Sequence, residues 1–194
     1  MPDTSLSLLD RLGQGGDAAA WQRLVELYTP LLHAWLERHG LQAADRDDLT
    51  QEALGVVVRE LPAFRHNRHA GAFRRWLRAI VAHCLRRFWR ARGYRPTVPG
   101  GSDFEEYLAQ LEDPDSGLGG EWDREHDRHL LRRLLELVER DFQPSTRRAF
   151  RLLVLEQRPA AAVAAELGLS VNAVLIAKSR VLERLRQEGR GLID

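Results

Sequence analysis

Apolar residues recur along this chain at the three- and four-residue spacing of amphipathic helices, and no convincing alternating strand pattern is present. In the N-terminal half the pattern predicts helices over residues 17–40, 45–61 and 72–92. Asp17 is a suitable N-cap for the first helix, and Pro30 is expected to bend it. Glycine and proline residues separate the predicted helices, as is typical of helix ends.

The composition changes after the third predicted helix. Residues 96–120 are rich in Pro, Gly, Ser, Asp and Glu, which predicts a linker with at most a short helix at 104–111. A second helical block follows, with helices predicted over residues 122–142, 145–157, 159–167 and 171–187. The predicted fold is therefore all-α, with two small helical domains joined by an acidic linker. The predicted boundaries are residues 1–95, 96–121 and 122–194.

The charge is unevenly distributed, although the net charge is only +1. Residues 65–95 contain ten arginines and no Asp or Glu, whereas residues 102–127 contain ten acidic residues and one arginine. A polyanion such as nucleic acid is the expected partner of the basic segment.

Composition excludes several classes of protein. The 194 residues suffice for one ordinary domain or two small ones, and the 44% hydrophobic content is that of a globular protein. No apolar run approaches the roughly 20 residues of a membrane span, and no secretory signal is visible. Cys84 is the single cysteine, so neither a disulfide framework nor a zinc-thiolate site is expected. These features favour a cytoplasmic protein without a cofactor.

The segment 159–182 has the sequence form of a helix-turn-helix. Ala164 is a small residue four positions before Gly168, which suits a close helix crossing followed by a turn. Ser170 is placed to cap the second helix. Apolar residues occupy the expected core positions Val163, Leu167, Leu169, Val174 and Ala177. A helical hairpin that only packs is the alternative, but the agreement of core, cap and basic surface favours DNA binding.

The third predicted helix is both amphipathic and basic. Its apolar stripe, including Phe73 and Trp76, is interpreted as core rather than as a stacking platform for bases. The outer face is predicted to carry Arg74, Arg75, Arg78, Arg86, Arg87, Arg90 and Arg92, with His83 at its margin. This composition suits phosphates and unpaired bases, and the preceding loop at residues 65–71 suits an extruded base. A basic membrane-surface or calmodulin-type helix is the alternative.

Polar residues cluster on the first turns of the second predicted helix. Asp47, Asp48, Gln51 and Glu52 lie close together there, and Asp48 and Glu52 share a helix face. Two carboxylates could contribute to a metal site, but no histidine joins them. A polar surface for a protein partner is the favoured interpretation.

Taken together, these motifs resemble the sigma-seventy family of bacterial transcription initiation factors. The residues that carry the resemblance are Asp48-Leu49-Thr50-Gln51-Glu52, the run Phe73-Arg74-Arg75-Trp76-Leu77-Arg78-Ala79-Ile80, and the terminal helix-turn-helix. The short length and two-domain layout resemble the extracytoplasmic-function branch. The resemblance covers about residues 5–95 and 122–190. It implies that the chain directs RNA polymerase to promoters and is not an enzyme.

The resemblance also implies roles for individual residues. Asp48, Gln51 and Glu52 would bind the clamp helices of core RNA polymerase. The −10 element would be recognised and melted with Arg65, Asn67, Arg68, Arg74, Arg75, Arg78, His83, Arg86, Arg87 and Arg90. The −35 element would be read with Ser170, Asn172, Leu175, Lys178, Ser179, Arg180 and Arg184, while the same domain contacts the polymerase flap. The acidic linker would thread near the active-centre cleft. An anti-sigma protein is a further candidate partner.

The chain departs from the family pattern at three positions. His83 stands where many relatives have asparagine, and Leu175 and Ile176 replace a polar pair in the recognition helix. These changes bear on base preference at the two promoter elements.

Two other functions stay open from the sequence. A conventional helix-turn-helix regulator would explain the C-terminal part but leaves the basic helix without a purpose. A metal-dependent hydrolase could use the His-x-x-His pairs His66/His69 or His126/His129, although each pair lacks a clear third ligand nearby.

Overall fold

The computed structural model describes residues 7–15, 18–64, 71–92 and 104–193, and these residues are helical with no strand among them. The helices are α1 (Leu8–Gly13), α2 (Ala18–Arg38), α3 (Ala43–Glu60), α4 (Ala72–Arg92), α5 (Phe104–Glu112), α6 (Gly117–Glu139), α7 (Pro144–Phe150), α8 (Ala160–Leu167) and α9 (Val171–Gly189). A 3₁₀ turn at Leu61–Ala63 follows α3, and a π-helical turn at Arg151–Leu155 follows α7. The prediction of an all-α protein is confirmed.

The larger core lies between α2, α3, α4, α5 and α6. Trp35 of α2 is fully buried at its centre, and its ring meets the edge of Trp122 from α6 at 5.0 Å. Pro30 lies inside α2, as predicted, and the predicted N-cap Asp17 falls outside the described residues. Burying two indole rings contributes several kcal/mol, so α6 is a structural part of this core.

The segment that the sequence predicts as a linker contributes to this core. Within it, α5 buries Phe104, Tyr107, Leu108 and Leu111, and α6 begins at Gly117, five residues before the predicted start. Acidic composition suggested an unpacked tether, but the acidic residues share α5 with an apolar face that packs on α4. The expected absence of packing is therefore wrong for residues 104–121, while the domain boundaries stay a prediction.

A smaller core joins α7, α8 and α9. Its centre contains Ala149, Leu152, Val163, Val174 and Ala177. Next to it, Val138 of α6, Phe150 and Val181 form a second cluster, so α6 contributes to both ends of the molecule.

The N-terminal helix α1 was not predicted. Ser7 caps it: its hydroxyl accepts from the Asp10 amide at 3.2 Å, and the Asp10 carboxylate accepts in return from the Ser7 amide. Leu8 and Leu12 are fully buried against the larger core. The sequence signal that could have predicted α1 is the capping box of Ser7 and Asp10, with Leu8 and Leu12 beside it.

Among the described residues, no single helix has both the length and the apolar character of a membrane span. Taken together, the bent pair α8 and α9 has the length and composition of a membrane span, and those are the only two criteria that it meets.

Candidate nucleic-acid interface

Helix α4 presents opposite faces of different character. Its apolar face buries Phe73, Leu77 and Val81 in the larger core, and the Trp76 ring packs on Phe64 at 4.7 Å. The interpretation of Phe73 and Trp76 as packing residues is consistent with these contacts. The other face is basic, and it lies against α5 and α6.

Acidic residues of α6 cover the N-terminal part of the basic face. Arg74 donates to the Asp127 carboxylate at 2.6 Å and lies 3.2 Å from Asp123. Arg78 donates to the same Asp123 carboxylate at 3.1 Å and also to the Gly119 carbonyl at 3.1 Å. These charge-assisted bonds link the first turns of α4 to the first half of α6.

Arg78 is only 1% exposed, which the sequence analysis did not expect. The prediction that it lies on an outer face is wrong for this structure, because α6 packs over that face and its guanidinium also reaches the Glu112 carbonyl at 3.4 Å. Burial lowers the pKa of Arg78, and the neighbouring Asp123 opposes that shift. A buried guanidinium needs such partners, since an unpaired buried charge is strongly destabilising.

Acidic residues of α5 cover the C-terminal part of the basic face. Arg86 donates to Glu105 at 3.2 Å and to both carboxylate oxygens of Glu112, at 3.2 and 3.3 Å. Arg90 lies 3.6 Å from Glu105 and remains largely exposed. The hydrogen bond to Glu112 raises the pKa of Arg86.

The remaining predicted −10 residues divide into two groups. Arg75, His83 and Arg87 are exposed on α4. Arg65, Asn67 and Arg68 lie outside the described residues, as do His66 and His69. The predicted −10 residues from Arg74 to Arg90 therefore all lie on α4, and acidic side chains from α5 and α6 cover some of them.

The polar cluster of α3 lies at the edge of the same bundle. Asp48 and Gln51 are exposed, whereas Glu52 turns towards α4 and pairs with Arg87 at 2.7 Å. A residue predicted to contact polymerase thus pairs with one predicted to contact DNA. Beside them Cys84 is buried, and burial together with Glu52 raises the pKa of its thiol to about 12, so the thiol stays protonated at neutral pH.

A buried histidine of α6 contacts α2. His126 lies 3.2 Å from the Tyr28 hydroxyl through Nε2 and 3.0 Å from Asp127 through Nδ1. Burial lowers the pKa of His126, although its bond to Asp127 raises it in part. The neutral ring therefore donates from Nδ1 to Asp127 and accepts at Nε2 from Tyr28.

The second histidine of this His-x-x-His pair points elsewhere. His129 meets the Leu27 carbonyl of α2 at 3.0 Å. Within the part of the chain that the structure describes, no three His, Cys, Asp or Glu residues lie close enough together to hold a metal ion.

Helices α8 and α9 meet across a short turn at 105°. Gly168 adopts a left-handed conformation at φ 65°, which glycine accommodates without a side-chain clash, and its amide donates to the Ala164 carbonyl. Ser170 caps α9, because its hydroxyl accepts from the Ala173 amide at 3.1 Å. Of the predicted core residues, Val163, Val174 and Ala177 are buried, and Leu167 and Leu169 are half-buried.

One face of α9 is open to solvent. It carries six of the seven predicted −35 residues, namely Ser170, Asn172, Leu175, Lys178, Ser179 and Arg180. Leu175 is 47% exposed and Ile176 is 43% exposed, so both departures from the family pattern lie at the surface. An open helix face with polar, basic and apolar groups is suited to base edges in a major groove.

The seventh predicted residue, Arg184, is engaged within the chain. It pairs with Asp141 at 3.3 Å and with Glu188 at 2.8 Å. Glu188 is 1% exposed and also forms ion pairs with Arg11 at 2.9 Å and with Arg23 at 3.4 Å. Sequence reasoning missed this cluster, since its members are separated by up to 177 positions in the chain.

Comparison with known families gives a sequence match over this part of the chain. Residues 24–95 match the family model described as Sigma-70 region 2, a stretch that contains most of α2 and all of α3 and α4. The match is a similarity to this one region of sigma factors, over 72 of the 194 residues. No curated protein sequence matches the chain.

Proposed function

We propose that this chain is a sigma factor of the extracytoplasmic-function branch, acting in the cytoplasm as a DNA-binding subunit of RNA polymerase and not as an enzyme. It binds core polymerase, recognises and helps melt the −10 element through α4 and its preceding loop, and reads the −35 element through α9. It requires no cofactor. The observation that carries the proposal is the match over residues 24–95, which spans both the polar cluster of α3 and the basic helix α4.

The exposed end of α3 supports a polymerase contact. Asp48 and Gln51 are exposed, and no described side chain is recorded as pairing with Asp48. A polar surface with unused acceptors suits the basic and polar groups of a partner protein. Glu52 would join them by exchanging its Arg87 partner for one on polymerase.

Binding of the full chain to core polymerase without DNA tests this contact. Asp48→Lys is expected to weaken binding about tenfold, since a reversed charge at an interface repels the group that it formerly attracted. Glu60→Lys, a charge reversal at the exposed C-terminal end of the same helix, is the matched control and should bind normally. A conventional helix-turn-helix regulator would not bind core polymerase at all, so absence of binding by the unmodified chain would overturn the proposal.

The α8–α9 pair supports duplex recognition. The two helices cross at 105°, and α9 is open along Asn172, Ser179 and Arg180. Asparagine and arginine side chains form bidentate pairs with adenine and guanine edges in the major groove. These features support a helix-turn-helix that reads the −35 element, with the polymerase flap as the partner of its other side.

Selection of duplexes from a random library with holoenzyme would supply the −35 sequence. Arg180→Ala is then expected to lose about 1–3 kcal/mol on the selected element and to relax its preference at one position. Arg190→Ala, which changes an exposed arginine just after α9, is the control. Equal losses on the selected and a scrambled element would assign Arg180 to the phosphates instead.

An anti-sigma protein remains a proposed partner. Co-purification of the tagged chain from its native host, followed by release of sigma activity on removal of the bound protein, would test it. A bound protein whose removal leaves transcription unchanged would contradict that role.

A further inference from the structure

We infer that α5 and the first half of α6 form an internal cover over the DNA-binding face of α4, so that this chain binds a DNA strand there only after the cover is displaced. The cover comprises residues 104–127. The inference rests on the proposed DNA-binding role of α4, and it does not depend on the polymerase contact.

The charges of the cover match those of α4 residue by residue. Asp123 and Asp127 engage Arg74, and Asp123 also engages Arg78. Glu105 and Glu112 in turn engage Arg86, and Glu105 reaches Arg90. The carboxylates therefore occupy four of the arginines that the proposed function assigns to DNA.

The same donors cannot serve both partners at once. Arg86 already uses its Nε and both terminal nitrogens on carboxylate oxygens. A phosphate would have to replace those oxygens, which have similar charge and geometry. Arg78 is enclosed, so a strand reaches it only if α6 moves away from α4. A strand can therefore engage Arg78, or replace the carboxylates on Arg86, only when the cover has moved away.

Apolar anchors hold the cover in place. Phe104 packs its ring 6.0 Å from that of Trp89 on α4, and Leu108 and Leu111 are fully buried. Burial on this scale keeps the open state rare, and the apparent DNA affinity falls by the fraction of molecules that are open. The ion pairs of Arg86 and Arg90 lie towards the rim of the contact, where they can be changed without removing the anchors.

Charge-neutral variants of the cover test the inference in the full chain. The test variant is Glu105→Gln/Glu112→Gln, which removes the partners of Arg86 and Arg90. The control is Glu106→Gln/Asp115→Asn, with the same change in net charge at exposed positions of α5 and the turn after it. The probe is a fluorescein-labelled single-stranded DNA of mixed sequence, followed by anisotropy at low salt.

The test variant should bind the probe about threefold to tenfold more tightly than the control, since each exposed pair contributes modestly to closing the cover. Equal affinities would show that added positive charge alone attracts DNA, and would overturn the inference. Failure of the test variant to bind the strand would overturn it as well, because the uncovered face of α4 would then have no affinity for DNA.

Hydrogen exchange supplies a structural readout. Saturating single-stranded DNA should accelerate amide exchange in residues 104–112 of the unmodified chain, because those residues undock when the strand binds. Unchanged exchange in α5 with the strand bound would mean that DNA and cover coexist, which contradicts the inference. If both tests give the expected results but the chain does not bind core polymerase, the inference about the cover stands and the proposed function is wrong.

Discussion

The two basic helices of this molecule, α4 and α9, differ in what surrounds them. In α4, Arg74, Arg78 and Arg86 are held by carboxylates from α5 and α6. In α9, Lys178 and Arg180 are exposed, and no described carboxylate is recorded as their partner. Helix α4 has the higher positive charge, yet three of its arginines are held by carboxylates of the following helices, whereas Lys178 and Arg180 of α9 face solvent.

The difference shows that local charge in a sequence does not measure the charge available to a ligand. The acidic segment after α4 neutralises it within the chain, because the two segments are consecutive helices that pack as neighbours. The comparison predicts that Arg74, Arg78 and Arg86 of α4 contribute to folding, whereas Lys178 and Arg180 of α9 are available for binding.

The largest expected effect is on stability. Arg78→Ala removes a buried guanidinium and leaves Asp123 without one partner, so it should lower the free energy of unfolding by about 3 kcal/mol. Arg180→Ala should change it by less than about 0.5 kcal/mol, as for an exposed residue. Denaturant unfolding followed by circular dichroism measures both. Similar losses in the two variants would remove the distinction between the helices.

Glycines near the start of α6 offer a second test of the cover. A Cβ at Gly119 would collide with the Asp113 carbonyl in the turn after α5, whereas one at Gly117 meets nothing within 4 Å. Gly119→Ala should therefore destabilise the protein by about 1–3 kcal/mol, despite the better helix propensity of alanine. Gly117→Ala should be neutral or slightly stabilising. Thermal unfolding of the two variants measures this difference. A Gly119→Ala variant at least as stable as Gly117→Ala would show that α5 and the turn after it do not pack as described.

A third effect depends on pH and is confined to the covered half of the molecule. Burial lowers the pKa of His126, which faces Tyr28, Asp127, Arg74 and Asp123. The unfolded chain therefore binds this proton at higher pH than the folded chain. Stability should be constant above about pH 6.5 and fall by up to about 1.4 kcal/mol per pH unit below it, until the folded pKa is reached.

His126→Gln should reduce that acid-dependent loss, because it removes one titrating group and keeps a side chain that can hydrogen-bond. His39 and His129, whose pKa values burial also lowers, would account for the part that remains. His83→Gln, on the exposed side of α4, is the control and should leave the acid-dependent loss in place. Urea unfolding between pH 5 and pH 8 measures the effect, and an unaltered profile for His126→Gln would contradict it.

Much of the helical layout could be predicted because apolar spacing is a local property. The start of α4 at Ala72 and that of α9 at Val171 agree with the prediction. The packing of α5 could not be foreseen from composition, since the acidic residues of the longer stretch 102–127 outweigh the four buried apolar residues of this one helix. The helix α1 was missed because its six residues span less than two turns.

The candidate site was predictable as a set of residues and less so as a surface. The open face of α9 follows from the 3.6-residue period once Val174 and Ala177 are assigned to the core. The burial of Arg78 required knowing that α6 returns across α4, a contact between positions 45 residues apart. Such contacts have no local signature, so the sequence predicted a basic face and not its cover.

The smallest expected effect compares the salt dependence of DNA binding by the two helices. In the free chain, Lys178 should contact a phosphate of duplex DNA, and Lys178→Ala should lower the slope of log affinity against log salt by about 0.9. Arg86→Gln should leave that slope unchanged, because Arg86 is already neutralised by Glu105 and Glu112 and releases no DNA counterion.

Titration of a labelled duplex at several salt concentrations measures both slopes. When the cover variant Glu105→Gln/Glu112→Gln is the background and a single strand is the probe, Arg86→Gln should lower the slope, since Arg86 has been released to meet a phosphate. A salt slope that responds to Arg86→Gln only in the cover variant would show that Arg86 can bind DNA but lacks access to it in the unmodified chain. An Arg86 effect of equal size with and without the cover carboxylates would show that the two helices do not differ in accessibility.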